Sequence, residues 1–277
     1  MEYKISNGKI VFARNEEFDA KQILESGQIF RYGYTGDYWW CVSGDKFAKI
    51  VEEEKTVTIY TDDPQYFVRF FDLDTSYAKI KEELSKDSFM KSVINKCPGI
   101  RILKREMWDT IIEFIISANN HITRIKAIVE RLCERAGTNM GEYFAFPTLD
   151  ELSDKPLEFF ESLGAGYRGK YLYKVVHELL QYDLNQIAKL DTASLKKFLI
   201  SLSGIGPKVA NCIMLFGFGR NTCFPVDTWI EKVYHENFNG KLMSRDKITE
   251  FFEQKFGENS GIAQQYLFYA KRENILK

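Results

Sequence analysis

The sequence is poor in the residues that bind metals and form disulfides. Its five cysteines, Cys41, Cys97, Cys133, Cys212 and Cys223, are odd in number and show no Cys-x-x-Cys spacing, which argues against a disulfide framework or a zinc site. The three histidines, His121, His177 and His235, are scattered without metal-ligand spacing, so neither a metal nor a cofactor is expected. No run of 18 apolar residues and no basic region leading into an apolar stretch is found, so neither a membrane span nor a signal peptide is expected. Together with reduced cysteines, this points to the cytoplasm. Charge of one sign is also lacking: 38 Lys and Arg against 39 Asp and Glu leave a net charge of −1. That balance lacks the strongly basic footprint usual for nucleic-acid binding. Repeats and low-complexity tracts are absent.

The chain has 277 residues, 45% of them apolar, which suffices for a sizeable core. The expected class is α+β. "KISNGKIVFA", "YWWCVSGDKFAKIV" and "KTVTIYT" read as strands broken by Asn-Gly and Ser-Gly-Asp turns, so the first eighty or so residues are expected to be mostly antiparallel sheet. From Trp108 the period turns helical, through Ile111, Ile112 and Ile115, then through Ile122, Ile125, Val129 and Leu132 to a stop at Gly137. Further helices are predicted over 171–180, 194–202, 208–218, 228–238, 245–256 and 265–271, with "FPTLDEL" and "LGAGYRGKY" between helices. "NKCPGIR" reads as the passage between an N-terminal sheet domain, 1–98, and a helical region, 99–277.

The stretch "LSGIGPKVANC" carries the first chemical signal. Gly204 and Gly206 suit a tight hairpin with close backbone approach, and Pro207 suits the first position of a helix. Lys208 then falls in the first helical turn, where the macrodipole disfavours a cation by roughly 0.3–1 kcal/mol and so favours the neutral, nucleophilic amine. A hairpin at a helix N-terminus also offers backbone N–H groups to a phosphate without formal charge, and Arg168, Lys170 and Lys174 could make a local basic cluster. Nineteen residues on, Asp227 opens another amphipathic helix; alone it is an ordinary helix N-cap.

Hairpin, Pro-Lys at a helix start and then Val-Asp at the next resemble the helix-hairpin-helix motif, about residues 195–230, of base-excision DNA glycosylases. Four further segments make the chain similar to the 8-oxoguanine DNA glycosylase/AP lyases: "SGQIFR", "SANNHITRI", "LGAGYRGKY" and "AQQYLF". The resemblance implies an antiparallel sheet domain followed by an all-helical glycosylase region, with Lys208 attacking the sugar C1′ and Asp227 assisting. It places Gly27, Cys212, Gln264 and Phe268 at the lesion base. Asn119, Arg124, Tyr167 and Arg168 fall at the wedge and opposite base, and Gly204 and Gly206 at the DNA backbone. Extruding a base from a duplex needs such an inventory: a wedge, donors for the widowed partner and a face for the flipped base.

One departure stands out. The family commonly has a histidine two residues after the aspartate, on a backbone phosphate, and here that residue is Trp229. Cluster-bearing relatives have four cysteines after the aspartate; none follows Cys223, which excludes an iron–sulfur cluster by count. The implied partner is duplex DNA containing 8-oxoguanine, bound by a monomer with no membrane involved. Three alternatives remain. A helix-hairpin-helix glycosylase for another base, such as an alkylated one, generally lacks the hairpin lysine. A non-enzymatic DNA-binding protein would not need Lys208 paired with Asp227. A small-molecule enzyme with a chance glycine hairpin leaves Arg124 and Tyr167 unexplained.

Overall fold

The computed structural model describes residues 1–241 and 243–276. The chain divides into two compact units that no single cut in the sequence separates: Met1–Cys41, Phe47–Lys104 and Arg220–Lys277 form the first, Val42–Lys46 and Arg105–Gly219 the second.

The sheet consists of β1 (Tyr3–Ser6), β2 (Lys9–Ala13), β3 (Tyr32–Tyr34), β4 (Trp39–Ser43), β5 (Lys46–Glu52) and β6 (Thr56–Tyr60), in the order β1-β2-β6-β5-β4-β3. β1 pairs with β2, β2 with β6, β5 with β6 and β3 with β4, each antiparallel. Asn7 and Gly8 take positive φ, +45° and +72°, as a two-residue hairpin turn between β1 and β2 requires. Register follows the alternation: Ile10 pairs with Ile59, Phe12 with Val57 and Ile50 with Ile59, and all of these are buried on one face.

Four helices of the first unit, α1 (Ala20–Leu24), α2 (Pro64–Phe70), α3 (Tyr77–Leu84) and α4 (Ser88–Lys96), interrupt or follow the strands. The buried face of the sheet shares a core cluster with Ile23, Leu24, Phe67, Phe70 and Phe71. Arg101, in the expected interdomain passage, is fully buried and donates to the carbonyls of Phe71, Glu17, Asp72 and Thr75 at 2.5–3.1 Å. The "NKCPGIR" segment therefore works as a clamp inside the first unit.

The second unit contains α5 (Met107–Ser117), α6 (Ile122–Ala136), α7 (Leu149–Ser153), α8 (Leu157–Glu161), α9 (Arg168–Leu179), α10 (Leu184–Ile187), α11 (Thr192–Ser201) and α12 (Pro207–Phe216). Helix α5 is its axis. Asp109 to Ile116 are all buried, and the helix packs on α6, α9 and α12. Its Glu113 makes a 2.7 Å ion pair with Arg105, both side chains out of solvent. The first unit resumes with α13 (Thr228–Asn237), α14 (Arg245–Phe256) and α15 (Ser260–Arg272). No helix among the described residues is long and apolar enough to cross a membrane.

Several local expectations need correction. The first eighty residues are less purely β than their turns suggest, because "PQYFVRF" is helical; Asp63 caps it by accepting from the Tyr66 N–H at 3.0 Å. "FPTLDEL" is not merely a connection. Thr148 and Glu151 form a reciprocal capping box that starts α7. "LGAGYRGKY" likewise enters a helix at Arg168, three residues earlier than read.

Candidate active site

The hairpin joins α11 to α12. Gly204 has φ +83°, and a Cβ there would lie 2.7 Å from Cβ of Tyr171, so both conformation and space demand glycine. Gly206 does not share this role, contrary to the sequence reading. It has φ −91° and ψ 177°, it is the N-cap of α12, and a Cβ on it would meet nothing within 4 Å. Pro207 takes the first helical position and Lys208 the second, as expected. The Lys208 Nζ lies 5.8 Å from the centre of the Phe114 ring, which stacks on Phe216. Buried Cys212 stands one turn along the same helix face. The hairpin also uses a residue the sequence reading missed: the Glu178 carboxylate accepts from both the N–H and the Oγ of Ser203.

A second group in the same unit gathers Asn119, Arg124, Tyr167 and Arg168. Arginines lace two loops together in both directions. From α6, Arg124 donates to Gly164 O at 3.0 Å and Arg131 to Leu163 O at 2.9 Å. From α9, Arg168 donates back to the carbonyls of Ala118 and Asn119, and to that of Ala165 beside it. Arg168 is only 3% exposed, so it cannot belong to the exposed basic cluster suggested with Lys170 and Lys174. Most of its hydrogen bonding in the free protein fixes backbone. Tyr167 is 54% exposed between two arms: its ring lies 4.4 Å from the Arg168 guanidinium and edge-on to Tyr171. Asn119 is exposed and held at φ +50°, a left-handed conformation that few side chains tolerate. Arg131 and Arg135 could have been suspected from their one-face spacing with Arg124, but nothing in the sequence names carbonyls as their partners.

In the first unit, Gly27 and Phe268 come together. Gly27 has φ +77°, and its neighbours are tied down by Gln28, whose buried amide donates to Ser26 Oγ and Arg101 O and accepts from the Leu103 N–H. Gln264 stands one turn before Phe268 on α15, 4% exposed, with its Oε1 accepting from Gln265 at 2.7 Å. Asp227 is the N-cap of α13, where Oδ1 accepts from the N–H groups of Trp229 and Ile230 at 3.0 and 2.9 Å; no hydrogen bond to Oδ2 is found among the described residues. Trp229, at the position of the family's histidine, carries Lys232 over its ring at 5.3 Å. Among the described residues, no group of three or more His, Cys, Asp or Glu could hold a metal ion.

Two family models tile most of the chain. "8-oxoguanine DNA glycosylase, N-terminal domain" matches residues 10–111, and "HhH-GPD superfamily base excision DNA repair protein" matches 112–258. The chain is 30% identical over 232 residues to a probable N-glycosylase/DNA lyase of Methanothermobacter thermautotrophicus, covering 74% of this chain and 73% of that one. It is 31% identical to the N-glycosylase/DNA lyase OGG1 of Arabidopsis thaliana, over 73% of this chain and 60% of that protein. The Clostridium acetobutylicum 8-oxoguanine glycosylase/lyase, solved with duplex DNA containing cytosine opposite 8-oxoguanine, superposes with TM-score 0.93 at 34% identity over 100% of this chain and 99% of that one. With the six-stranded sheet, the lysine-bearing hairpin and these matches, the chain belongs to the 8-oxoguanine DNA glycosylase/lyases of the helix-hairpin-helix base-excision repair superfamily.

Proposed function

We propose that the protein excises 8-oxoguanine from duplex DNA through a Schiff base on Lys208 and then nicks the strand by β-elimination, preferring cytosine opposite the lesion. The observation that carries the reading is the placement of Lys208 at the second position of α12, directly after a hairpin that Gly204 turns against Tyr171. There the helix dipole opposes a cation and favours the neutral amine.

In the proposed reaction the Nζ lone pair attacks C1′ of the extruded nucleotide. The C1′–N9 bond breaks, and its electron pair leaves with the base, which gains a proton. Positive charge develops on the sugar in this step, and the Asp227 carboxylate stabilises it. Loss of the amine proton and opening of the sugar ring give the iminium. Removal of a C2′ proton then expels the 3′ phosphate, and water releases the lysine.

Recognition divides among the remaining residues. The Gly27 carbonyl accepts from N7–H of the lesion and repels the N7 lone pair of guanine. Phe268 and Cys212 supply the two faces for the extruded base, and Gln264 addresses its Watson–Crick edge. Tyr167 enters the stack and Asn119 fills the vacated space. Arg124, whose exposed guanidinium has one hydrogen bond to Gly164 O, donates to O2 and N3 of the orphaned cytosine. Arg168 chiefly holds the loop that presents Asn119. Gly206 leaves open space for a phosphate at the start of α12. Borohydride reduction in the presence of lesion duplex tests the reading: wild type forms a covalent adduct, Lys208→Gln forms none, and an adduct at wild-type yield in Lys208→Gln overturns the assignment.

A further inference from the structure

We propose that Glu178 is a positioning residue for the hairpin that carries Lys208, an inference that rests on Lys208 being the nucleophile. The Glu178 side chain reaches from α9 to the first hairpin residue. Ser203 N–H donates to its Oε2 at 2.8 Å and Ser203 Oγ donates to its Oε1 at 2.6 Å. A carboxylate can take two donors from one residue on its two oxygens, which fixes direction as well as distance. Ser203 is the residue at which control matters. The chain leaves α11 at Leu202 with extended ψ of 148°, then has to turn and restart as α12 five residues later.

The same helix touches the hairpin a second time. Tyr171 lies against Gly204, so close that a Cβ there would stand 2.7 Å away. Tyr171 and Glu178 are seven residues apart on α9, two turns, and so share a face. The hairpin is thus gripped at adjacent residues by one face of one helix, sterically at Gly204 and by charge-assisted hydrogen bonds at Ser203. Tyr167, edge-on to Tyr171, lies at the start of that helix. Helix α9 therefore sets the hairpin, and through it the start of α12, relative to the exposed tyrosine.

The carboxylate has a cost that supports a positioning role. A negative side chain beside a helix N-terminus meant for a phosphate repels that phosphate, and a neutral residue would suit simple packing better. Engagement of each oxygen by a Ser203 donor offsets part of the repulsion and holds the charge in place.

The test compares Glu178→Ala, Glu178→Gln, Ser203→Ala and the double variant Glu178→Ala/Ser203→Ala with wild type. Ser201→Ala serves as control; it loses an Oγ bond to Phe198 O on α11 that does not reach the hairpin. Single-turnover excision is measured at saturating protein, alongside affinity for undamaged duplex, borohydride trapping on an abasic-site duplex and the melting temperature. Glu178→Ala is expected to lower the saturating rate and the trapping rate about tenfold or more, since displacement of a reacting group by an ångström can cost a hundredfold. Glu178→Gln, which keeps one acceptor, recovers part of the loss, and Ser203→Ala falls between it and wild type. The double variant is no worse than Glu178→Ala alone, because the two side chains act as one unit. Ser201→Ala matches wild type in rate. A Glu178→Ala protein with wild-type rate at saturation, or a set of variants whose rates only follow their melting temperatures, overturns the proposal. If Glu178→Ala does not fold, Glu178→Gln and Ser203→Ala decide by the same criteria. Failure of the nucleophile assignment is separately visible, as an adduct that persists in Lys208→Gln.

Discussion

Gly27 lies directly against the ring of Phe268: a Cβ on the glycine would stand 3.0 Å from Cε1 and 3.4 Å from Cζ. Two constraints meet there, because Gly27 also has φ +77°. Gly27→Ala is expected to fold with a loss of about 1–2 kcal/mol for a left-handed alanine, and to displace the ring edge and the neighbouring carbonyl. Excision of 8-oxoguanine should fall much more than affinity for undamaged duplex. Phe268→Ala should weaken lesion and guanine sites alike, by removing a stacking face. Single-turnover excision and binding on lesion and guanine duplexes separate the two. Full lesion selectivity in Gly27→Ala would leave the glycine as a turn residue only.

Arg124 and Arg168 should part company when replaced. Arg168 is 3% exposed and bonded to the carbonyls of Ala118, Asn119 and Ala165, so Arg168→Ala orphans one buried and two partly buried acceptors, leaves a cavity and is expected to cost about 3 kcal/mol in urea unfolding. Arg124 is exposed and has one such bond, so Arg124→Ala should cost about 1 kcal/mol or less. Its effect should instead be on choice, with excision opposite cytosine falling toward the rates opposite the other bases. An unchanged cytosine preference in Arg124→Ala would remove it from partner recognition.

Asp227 combines a cap with the proposed charge stabilisation, and two substitutions distinguish them. Ser is also a good N-cap, so Asp227→Ser should keep stability within about 0.5 kcal/mol while Asp227→Ala loses about 1 kcal/mol. Both lose the carboxylate, and both should slow excision by a hundredfold or more, the scale of a missing transition-state contact. Thermal unfolding and single-turnover kinetics read the two effects. A Ser variant as active as wild type would reduce Asp227 to its capping role.

Asp109 supplies a pH dependence that can be assigned in sign. Burial pushes its carboxyl up to about 7, against the lowering influence of Arg105 and of the Gly44 N–H, with Glu113 acting in the same direction as burial. The folded state therefore holds a proton that the unfolded chain releases near pH 4. The resulting stabilisation is complete below that pH and is lost as pH rises to about 7, at up to roughly 1.4 kcal/mol per unit. Asp109→Asn still offers an oxygen to the Gly44 N–H, which donates at 2.7 Å, and never ionises. Relative to wild type it should gain in urea midpoint between pH 5 and pH 8. A constant difference across that range would contradict the assignment.

The sheet was readable because Asn7-Gly8 is a turn chemistry with few alternatives and β2, which follows it, alternates cleanly. The Lys208 helix was readable for the same kind of reason, since proline and a preceding glycine mark its start. Helix α2 was not, because its seven residues span only two turns, and although Gln65 and Arg69 share an exposed face, the apolar Tyr66, Phe67, Val68 and Phe70 are too short a run to separate a helical period from a strand. The capping box of α7 is present in the letters as Thr148 and Glu151, but the helix it starts is only five residues long and follows Pro147, so the segment has the composition of a loop. Gly204 and Gly206 look equivalent in sequence, and only the left-handed backbone of Gly204 and the position of Tyr171 tell them apart. The Glu178–Ser203 link, the Arg131 bond to Leu163 O and the Arg168 bond to Ala118 O join residues 25 to 50 positions apart. Such pairings depend on how helices pack, and no local pattern encodes them.

In the proposed reaction Lys208 forms a Schiff base at 8-oxoguanine sites paired with cytosine. Borohydride trapping on four duplexes that differ only in the base opposite 8-oxoguanine tests nucleophile, lesion and partner together. The expected result is an adduct that accumulates fastest opposite cytosine in wild type and is absent opposite every base in Lys208→Gln. Equal trapping opposite all four bases would contradict the cytosine preference, and an adduct of wild-type yield in Lys208→Gln would show that another amine is the nucleophile.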